Sequence, residues 1–440
     1  MKARAVFVID SQAFWTIAAG ILCSSACAIL GCYMVLRRMS LLGDAISHAV
    51  LPGTVVAVLW SGQLGGWQVF VGAVAVGILT AFLTQALANF GNVPEDSSMG
   101  VVFTSLFALG VILITQYASQ IDLDPGCVLY GVIDAVVLDT VPWFGMEIPR
   151  AILTLGPVAV LTVGFVVLLW KELKIVAFDA ALATAMGISA ITVHYLLMAM
   201  VAIVTVASFE AVGSILVIAM LIVPPATAHL LTDRLWTMQI LSVACAWLSS
   251  ILGYYAAEAL NTSVAGMMSV VAGGLFTLAV VFAPQHGLLI KAVRKFRLTM
   301  RVVKEDILAV LYRVEERGRR DNRPTTLPGS ECIRFAGGGL LPRLAIPLMS
   351  SQGLINRAEA GHWVLTDPGR RRAESLVRSH RLWEAYLEKH FELPRDHLHE
   401  PASRIEHYLG PNLQQELSQE LSTPTQDPHG QVIPPAEPTA

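Results

Sequence analysis

Nine apolar segments, each long enough for a helix to cross a lipid bilayer, occupy the first two thirds of the chain. Crossing the hydrocarbon core takes about 20 apolar residues in a helix, which satisfies every backbone polar group internally. The second segment is the least regular, because Asp44, His48 and Pro52 interrupt it. We therefore predict an all-α polytopic membrane protein whose spans run roughly over 13–36, 44–61, 67–89, 100–118, 150–170, 189–208, 211–231, 236–257 and 263–284.

Basic residues divide the chain into a lipid-facing part and a water-facing part. Eight of the 30 Lys and Arg precede residue 286, so the other 22 lie between Lys291 and Arg404. Loops on the cytoplasmic side of a membrane are enriched in Lys and Arg. Nine spans with the C-terminus inside put Arg37, Lys171 and Arg234 on that side. The sequence thus predicts an N-out, C-in protein of the cell (inner) membrane, although counting segments alone also allows one span fewer or more.

The pattern from Lys291 onward is that of a cytoplasmic α+β domain. A hairpin is indicated by GLINRAEAGHWVLT, and the last residues, 422–440, have the Pro-rich polar composition typical of disorder. The transmembrane domain is therefore predicted over 1–290. Helices are predicted near 303–318, 367–391 and 400–421.

Asp44 and His48 form the first constellation that carries chemistry. Spaced i,i+4 on one helix face, their side chains lie within reach of one ion. A carboxylate with an imidazole suits manganese, iron or zinc, whereas softer ions prefer thiolates. Ionisable groups inside a span are costly and are therefore interpreted first as part of a pathway. The alternative is a structural Asp–His hydrogen bond between packed helices.

Glu210 stands beside the outer end of the seventh predicted span, where a carboxylate either attracts an entering cation or rests in headgroup water. Pro224 and Pro225 follow in the same span and are predicted to interrupt its helix, either to line a cavity or as a simple kink. His194 and His229 are interpreted as interior or interfacial histidines rather than ligands.

Five motifs follow one another over residues 10–290: RRMSLLGDAISHAVLPG, VPEDSSMGVVFTSLFALG, FDAALATAMGI, FEAVGSILVIAMLIVPPATA and FAPQHGLL. In order and spacing they resemble the integral-membrane subunits of manganese/zinc/iron ABC importers. The resemblance implies a permease, either a homodimer or paired with a paralogous permease. It would receive a divalent transition metal from an extracytoplasmic metal-binding protein, with manganese favoured and zinc or iron as alternatives. Asp44 and His48 match positions on the metal path.

The loop over 171–188 is too polar to span and is predicted to form a short amphipathic helix at the cytoplasmic face. The resemblance implies that its FDAALATAMGI docks on a separate ABC ATPase subunit. No GxxxxGK[ST] phosphate-binding loop occurs in the chain, so we predict that it is not an enzyme. The coupling residues implied are Phe178, Asp179, Ala180, Ala181, Leu182, Ala183, Met186 and Gly187.

A second constellation lies in SHRLWEAYLEKHFELPRDHLHEPASRIEHYLG. His380 and Glu384 are spaced i,i+4 on one predicted helix, while His399 precedes the next helix and Glu406 and His407 lie on it. Carboxylates and imidazoles that converge from two helices can hold a borderline divalent ion. A solvated, charged helical hairpin is the alternative.

Residues 303–421 also resemble the iron- and manganese-dependent repressors, in RVEERG, GHWVLTDPGRRRAE, HRLWE, LHE and IEH. The resemblance implies a winged helix over 303–366 and a helical metal-binding and dimerisation domain over 367–421. It implies one metal site made of His380, Glu384 and His399, and another made of Asp306, Glu406 and His407. Ser403 and Ala309 depart from the family's ligand positions, which predicts a weakened second site.

The predicted recognition helix departs further from the repressors. AGGGLLPRLAIPLMSSQGLI has a single Arg, whereas a DNA-reading helix needs polar and basic side chains at base edges. Phosphate contacts by Arg319, Arg320 and Arg323 are conceivable. We favour a degenerate winged helix that does not read DNA.

Three functions are therefore weighed. The leading hypothesis is import of a transition metal, with the C-terminal domain sensing cytoplasmic metal. The alternative is a membrane-tethered or released metal-dependent transcriptional regulator. A permease for a chelate or siderophore is the third, and Asp44 with His48 argues against it, because this pair suits a bare ion.

Overall fold

The computed structural model describes residues 11–39, 41–62, 66–91, 93–117, 133–143, 146–322, 324–391 and 393–436. The chain separates into two compact units, Met1–Ile290 and Lys291–Ala440. This boundary coincides with the start, at Lys291, of the part of the chain that holds most of the Lys and Arg. Arg323, considered above for phosphate contact, lies outside the described residues.

Helices dominate the first unit, and nine spans of suitable length and apolarity are found among its described residues, as the sequence predicts. One span is made of two helices, α2 and α3, which meet at Val50 because Pro52 lacks the N–H needed to continue the helix. The helices are α1 Ser11–Leu36, α2 Leu42–Ala49, α3 Leu51–Ser61, α4 Trp67–Gly91, α5 Glu95–Tyr117, α6 Arg150–Leu168, α7 Trp170–Phe178, α8 Ala180–Ala185, α9 Ala190–Val212, α10 Ser214–Leu231, α11 Leu235–Leu260 and α12 Val264–Phe282.

Pro224 and Pro225 both lie inside the continuous helix α10, so the expectation of a broken helix is wrong, whereas the simple kink stays a prediction. The chain breaks at Gly213, whose φ of 85° ends α9. Helix α1 packs closely on this part of α10: a Cβ on Gly31 would lie 2.0 Å from the Leu221 carbonyl oxygen. Tight packing by a neighbouring helix tolerates prolines in a span.

Two further features of the first unit differ from the sequence prediction. The polar loop forms two helices rather than one, because Asp179 is extended and its carboxylate accepts the Leu182 N–H at 2.9 Å, which starts α8. A short antiparallel hairpin, β1 Thr140–Trp143 and β2 Met146–Pro149, precedes α6 and was not predicted.

The second unit combines a small sheet with helices, as predicted. Its three strands pair in the order β3-β5-β4, and Ile307, Leu308 and Leu311 of α13 lie in the core beneath them. The elements are α13 Leu288–Asp321, β3 Leu327–Pro328, α14 Gly329–Phe335, α15 Leu340–Ser351, β4 Ile355–Arg357, β5 His362–Leu365, α16 Asp367–His390, α17 His399–Ile405 and α18 Pro411–Glu420.

The prediction of a disordered tail over 422–440 is wrong for the described residues 422–436. Two buried arginines of α16 hold this segment: Arg378 donates to the Pro434 carbonyl at 2.6 Å, and Arg381 donates to the Val432 carbonyl. Ile433 is buried. Composition suggested disorder, but buried cationic donors fold the segment by satisfying its backbone carbonyls.

Candidate metal sites

Asp44 and His48 lie on one face of α2, as their spacing predicts. His48 Nε2 is 3.5 Å from Asp44 Oδ1, and the two side chains are 39% and 43% exposed. The imidazole also faces Phe103 and Phe107 of α5, with ring centroids 6.2 and 6.1 Å away. The pair therefore stands at an accessible position between α2 and α5, with both ligand atoms within reach of one cation.

Glu210 is exposed on α9, two residues before the helix ends at Val212. Among the described residues, groups of three or more ligands close enough to share a metal all lie in the second unit. The structure thus pairs Asp44 with His48 but does not gather Glu210 into a three-ligand group with them. His194 is buried, as expected of an interior histidine, and His229 is exposed.

The segment over 178–187 presents an apolar stripe. Phe178, Leu182 and Met186 recur at intervals of four residues and are 59%, 51% and 60% exposed. Ala183 faces inward and is fully buried, and Gly187 adopts φ 82° at the turn that follows α8. Phe178 ends α7, Leu182 lies in α8 and Met186 follows it, and exposed apolar side chains on and beside a short helix are the kind of surface that a groove on another protein binds.

The first ligand cluster consists of His380, Glu384 and His399. Within it His380 Nε2 lies 3.0 Å from Glu384 Oε1 and 2.9 Å from His399 Nδ1, and His399 Nδ1 lies 3.2 Å from Glu384 Oε1. His380 and Glu384 are buried on α16, whereas His399 is exposed at the start of α17. Spacing of i,i+4 aligns the first two, and the turn into α17 supplies the third.

The second ligand cluster consists of Asp306, Glu406 and His407. His407 Nε2 lies 3.4 Å from Asp306 Oδ1 and 3.9 Å from Glu406 Oε1. Behind it, His407 Nδ1 is 2.9 Å from Glu305 Oε2, so Nε2 is left facing the cluster. Glu305 is buried and accepts a hydrogen bond from Arg301 at 2.9 Å. Glu305 was not predicted from the sequence, although its position beside Asp306 was a signal.

A third group, also missed, adds two residues of the tail to Glu384. His429 Nδ1 is 3.5 Å from Glu384 Oε2, and its Nε2 lies 3.2 Å from the Arg395 carbonyl. Because a carbonyl only accepts, Nε2 carries a hydrogen, and Nδ1 is the ring nitrogen that could serve as a metal ligand. Asp427 is buried, offers an oxygen to the same group and forms an ion pair with Arg381 at 3.5 Å. The DPHG sequence was the available signal.

The surroundings in these clusters favour the ionised carboxylate of Glu384 and the protonated imidazole of His407. Burial disfavours the charged form of Glu384, but hydrogen bonds to His380 and His399 outweigh it and lower its pKa to about 2. Burial likewise opposes a charged His407, but hydrogen bonds to Asp306 and Glu305 raise its pKa to about 9. A metal ion would replace the protons on the imidazoles while keeping the carboxylates ionised.

The residues present fit a divalent metal. In each of the three groups the ligand atoms lie within 4.8 Å of one another, and each group combines imidazole nitrogen with carboxylate oxygen. Ala309, a departure noted above, is buried against Leu376 and Val377 and offers no ligand atom.

Two of the arginines considered for phosphate contact are paired with carboxylates. Arg319 pairs with Glu315 and Arg320 with Asp321. The outward side of α15 carries Leu340, Leu344 and Leu348, with Arg343 as its basic side chain. That the winged helix does not read DNA stays a prediction.

Comparisons with known proteins follow the same division into two units. Residues 10–283 match the family model described as the ABC 3 transport family. Residues 366–435 match the model described as the iron dependent repressor, metal binding and dimerisation domain.

Three individual proteins resemble the first unit. The manganese transport system membrane protein MntD of Bacillus subtilis (strain 168) is 47% identical over 281 residues, which are 64% of this chain and 95% of MntD. The zinc transport system membrane protein TroD of Treponema pallidum (strain Nichols) is 40% identical over 291 residues, 66% of this chain and 78% of TroD. The solved structure of PsaBC from Streptococcus pneumoniae in complex with Fab superposes with a TM-score of 0.53 at 31% identity, and the match covers 63% of this chain and 94% of that one.

Proposed function

Because this chain belongs to the ABC 3 transport family, we propose that it is the permease subunit of an ABC importer for a divalent transition metal, with manganese as the favoured ion. Its relatives are named for manganese and zinc transport. The observation that carries the proposal is the accessible Asp44–His48 pair, which lies in a span inside the region that matches the family. Imidazole and carboxylate ligands suit Mn, Zn and Fe alike, so selection rests on geometry and supply.

The proposal includes the partners that an ABC importer needs. A separate ATPase subunit binds the apolar stripe of Phe178, Leu182 and Met186, because the chain has no phosphate-binding loop of its own. A metal-binding protein delivers the ion at the outer face, where Glu210 attracts it. The permease works as a dimer, with itself or with a paralogous permease.

The second unit is proposed to lie in the cytoplasm and to sense metal there. His380, Glu384 and His399 would hold one ion, helped by His429 and Asp427 of the tail, while Asp306, Glu406 and His407 would hold another. A bound ion would supply positive charge that draws the carboxylates and imidazoles of separate segments together. Occupancy would therefore rigidify this unit when cytoplasmic metal is plentiful and so restrain further import.

Reconstitution tests both parts of the proposal. The permease and its ATPase are placed in liposomes, and uptake of Mn²⁺, Zn²⁺ and Fe²⁺ from the delivery protein is measured with and without metal inside the vesicles. We expect ATP-dependent uptake of Mn²⁺ into vesicles whose lumen faces the second unit. Mn²⁺ already present in that lumen should reduce this uptake. A truncation after residue 295 is expected to lose this inhibition but to keep uptake. No ATP-dependent uptake of any of the three ions would refute the transport role, and inhibition that survives truncation would refute the sensing role.

A further inference from the structure

Helix α15 is apolar on both its inner and its outer side. The residues on its inner side are buried, namely Pro342, Ala345, Ile346 and Met349. On the outside Leu340, Leu344 and Leu348, one helical turn apart, are 69%, 44% and 44% exposed. A helix that is hydrophobic all round is normally buried all round. The outer leucines therefore indicate a surface that something else covers.

The surroundings of these leucines are basic. Phe335, at the end of α14, is also exposed, and the Arg334 guanidinium lies 5.4 Å from the centre of its ring. Arg343 is exposed on α15 itself. From Cys332 to Gln352 the sequence contains no Asp or Glu. Leu and Phe side chains flanked by Arg alone match the composition of helices that lie in a membrane interface.

Three glycines form the turn before α15. Gly337, Gly338 and Gly339 adopt φ values of 85°, 69° and 87°, which L side chains rarely adopt. A Cβ on any of them would meet no atom within 4 Å, so the turn is open to solvent. The exposed side chains on either side of this turn, Phe335, Leu340, Leu344 and Leu348, are called the apolar patch.

The chain itself ties the second unit to a bilayer. The last span ends at Phe282 and α13 begins at Leu288, so the connection is short. The first turns of α13 carry a basic cluster that anionic lipids attract. The tether keeps the second unit at high effective concentration near lipid. The cluster consists of Lys291, Arg294, Lys295 and Arg297.

A second copy of the chain fits the apolar patch less well. A stable protein–protein interface uses roughly 20–30 residues on each side, whereas the patch offers four apolar side chains and two arginines. Membrane docking needs no such area, because apolar insertion and attraction to anionic headgroups add to the tether.

We propose that the outer face of α15, together with Phe335, docks on the anionic surface of the membrane that holds the first unit. The leucines enter the boundary between headgroups and acyl chains, and Arg334 and Arg343 meet lipid phosphates. The position that reads DNA in winged-helix proteins is thereby given to lipid. The inference depends on the membrane embedding of the chain and is independent of the ion transported.

Depth-dependent fluorescence quenching tests the docking in the full-length protein. Leu344→Cys is labelled with an environment-sensitive fluorophore, in a background in which Cys127 and Cys245 are serine; the other four native cysteines are buried. Gln415→Cys, exposed on α18 of the same unit, is the matched control. Both are placed in nanodiscs of phosphatidylethanolamine and phosphatidylglycerol, with or without bromine on the acyl chains.

We expect brominated lipid to quench the label at residue 344 and to leave the label at residue 415 unchanged. Arg334→Gln with Arg343→Gln should reduce the quenching at residue 344. Equal or absent quenching at the two positions would overturn the proposal. So would a label at 344 that becomes shielded only when the ATPase is added, or cysteines at 344 that crosslink between two copies, because either result would assign the apolar patch to a protein.

Discussion

His380 Nδ1 lies 2.5 Å from Glu406 Oε2, an ion pair that lacks hydrogen-bond geometry, and it joins the two ligand clusters of the second unit. The other ring nitrogen of His380 belongs to the first cluster, at 3.0 Å from Glu384. The other oxygen of Glu406 faces His407 in the second cluster. Burial opposes a charged His380, but both carboxylates together raise its pKa. A proton or metal at one cluster is therefore felt at the other.

Glu406→Gln should weaken metal binding at both clusters. The amide removes a ligand from the second cluster and a negative partner from His380 in the first. Loss of an oriented partner behind a metal ligand typically costs about 10- to 100-fold in affinity. Mn²⁺ titration of the purified, chelator-stripped protein measures both transitions. Glu400→Gln, whose side chain is 78% exposed, should leave both unchanged; an effect of Glu406→Gln confined to one transition would disprove the coupling.

The metal-free second unit should lose stability in alkali. The pKa of His407 is raised from 6.5 to about 9, so the stabilisation by its protonated form is complete below pH 6.5 and disappears as pH rises through 9. The loss is about 3 kcal/mol. Thermal unfolding in EDTA from pH 6 to 10 measures it. His407→Gln should flatten the curve, whereas His397→Gln, at an exposed site, should retain it; a wild-type curve that is flat from pH 6 to 10 would contradict this assignment.

Asp44→Ala and His48→Ala should each abolish metal uptake and leave the protein in the membrane at normal levels. Each variant removes one of the two ligand atoms that face a passing cation on α2. Uptake of Mn²⁺ by reconstituted vesicles is the measurement. Ser47→Ala is the control, because the Ser47 hydroxyl bonds only to the Asp44 carbonyl of its own helix. Normal uptake by both ligand variants would eliminate the pair from the path.

Leu182→Glu should prevent the ATPase from co-purifying with the permease. A carboxylate in the middle of the stripe formed by Phe178, Leu182 and Met186 would have to be desolvated in the groove of the partner. Thr184→Glu adds the same charge two residues further along the exposed surface of α8 and should have a much smaller effect. Co-purification and ATP hydrolysis by the complex are the two measurements. Equal losses in both variants would point to charge alone.

His429→Ala should weaken metal binding at the first cluster by roughly tenfold, the lower end of the range for an oriented group at a metal site. Its Nδ1 lies 3.5 Å from Glu384 Oε2 and would be the ligand atom that the tail contributes. The tail should remain folded, because Arg378 and Arg381 still hold its carbonyls. Isothermal titration measures the affinity, and limited proteolysis reports on the tail. His397→Ala is the control, and unchanged affinity in His429→Ala would exclude His429 as a ligand.

Local features of the sequence predicted much of this protein. The nine spans follow from apolar length, because a bilayer requires each helix to satisfy its own backbone. The pairs Asp44 with His48 and His380 with Glu384 follow from their i,i+4 spacing, because residues four apart lie next to each other on one face of a helix. Grouping His399 with the first cluster needed the resemblance to a known family. The connection between α16 and α17 is irregular, so helical spacing does not predict which side chains it brings together.

Tertiary packing decided the rest. Composition marked 422–436 as disordered, yet buried Arg378 and Arg381 fold this segment and bring His429 to Glu384, 45 positions away in the sequence. Glu305 reaches His407 across 102 positions of the chain. The sequence by itself determined the membrane class, the helices and the ligand types, because these depend on side-chain chemistry and neighbours within a few turns. Long-range packing decided which ligands share a cluster and which helix face stays uncovered, because a periodic pattern in the sequence does not specify contacts between distant residues.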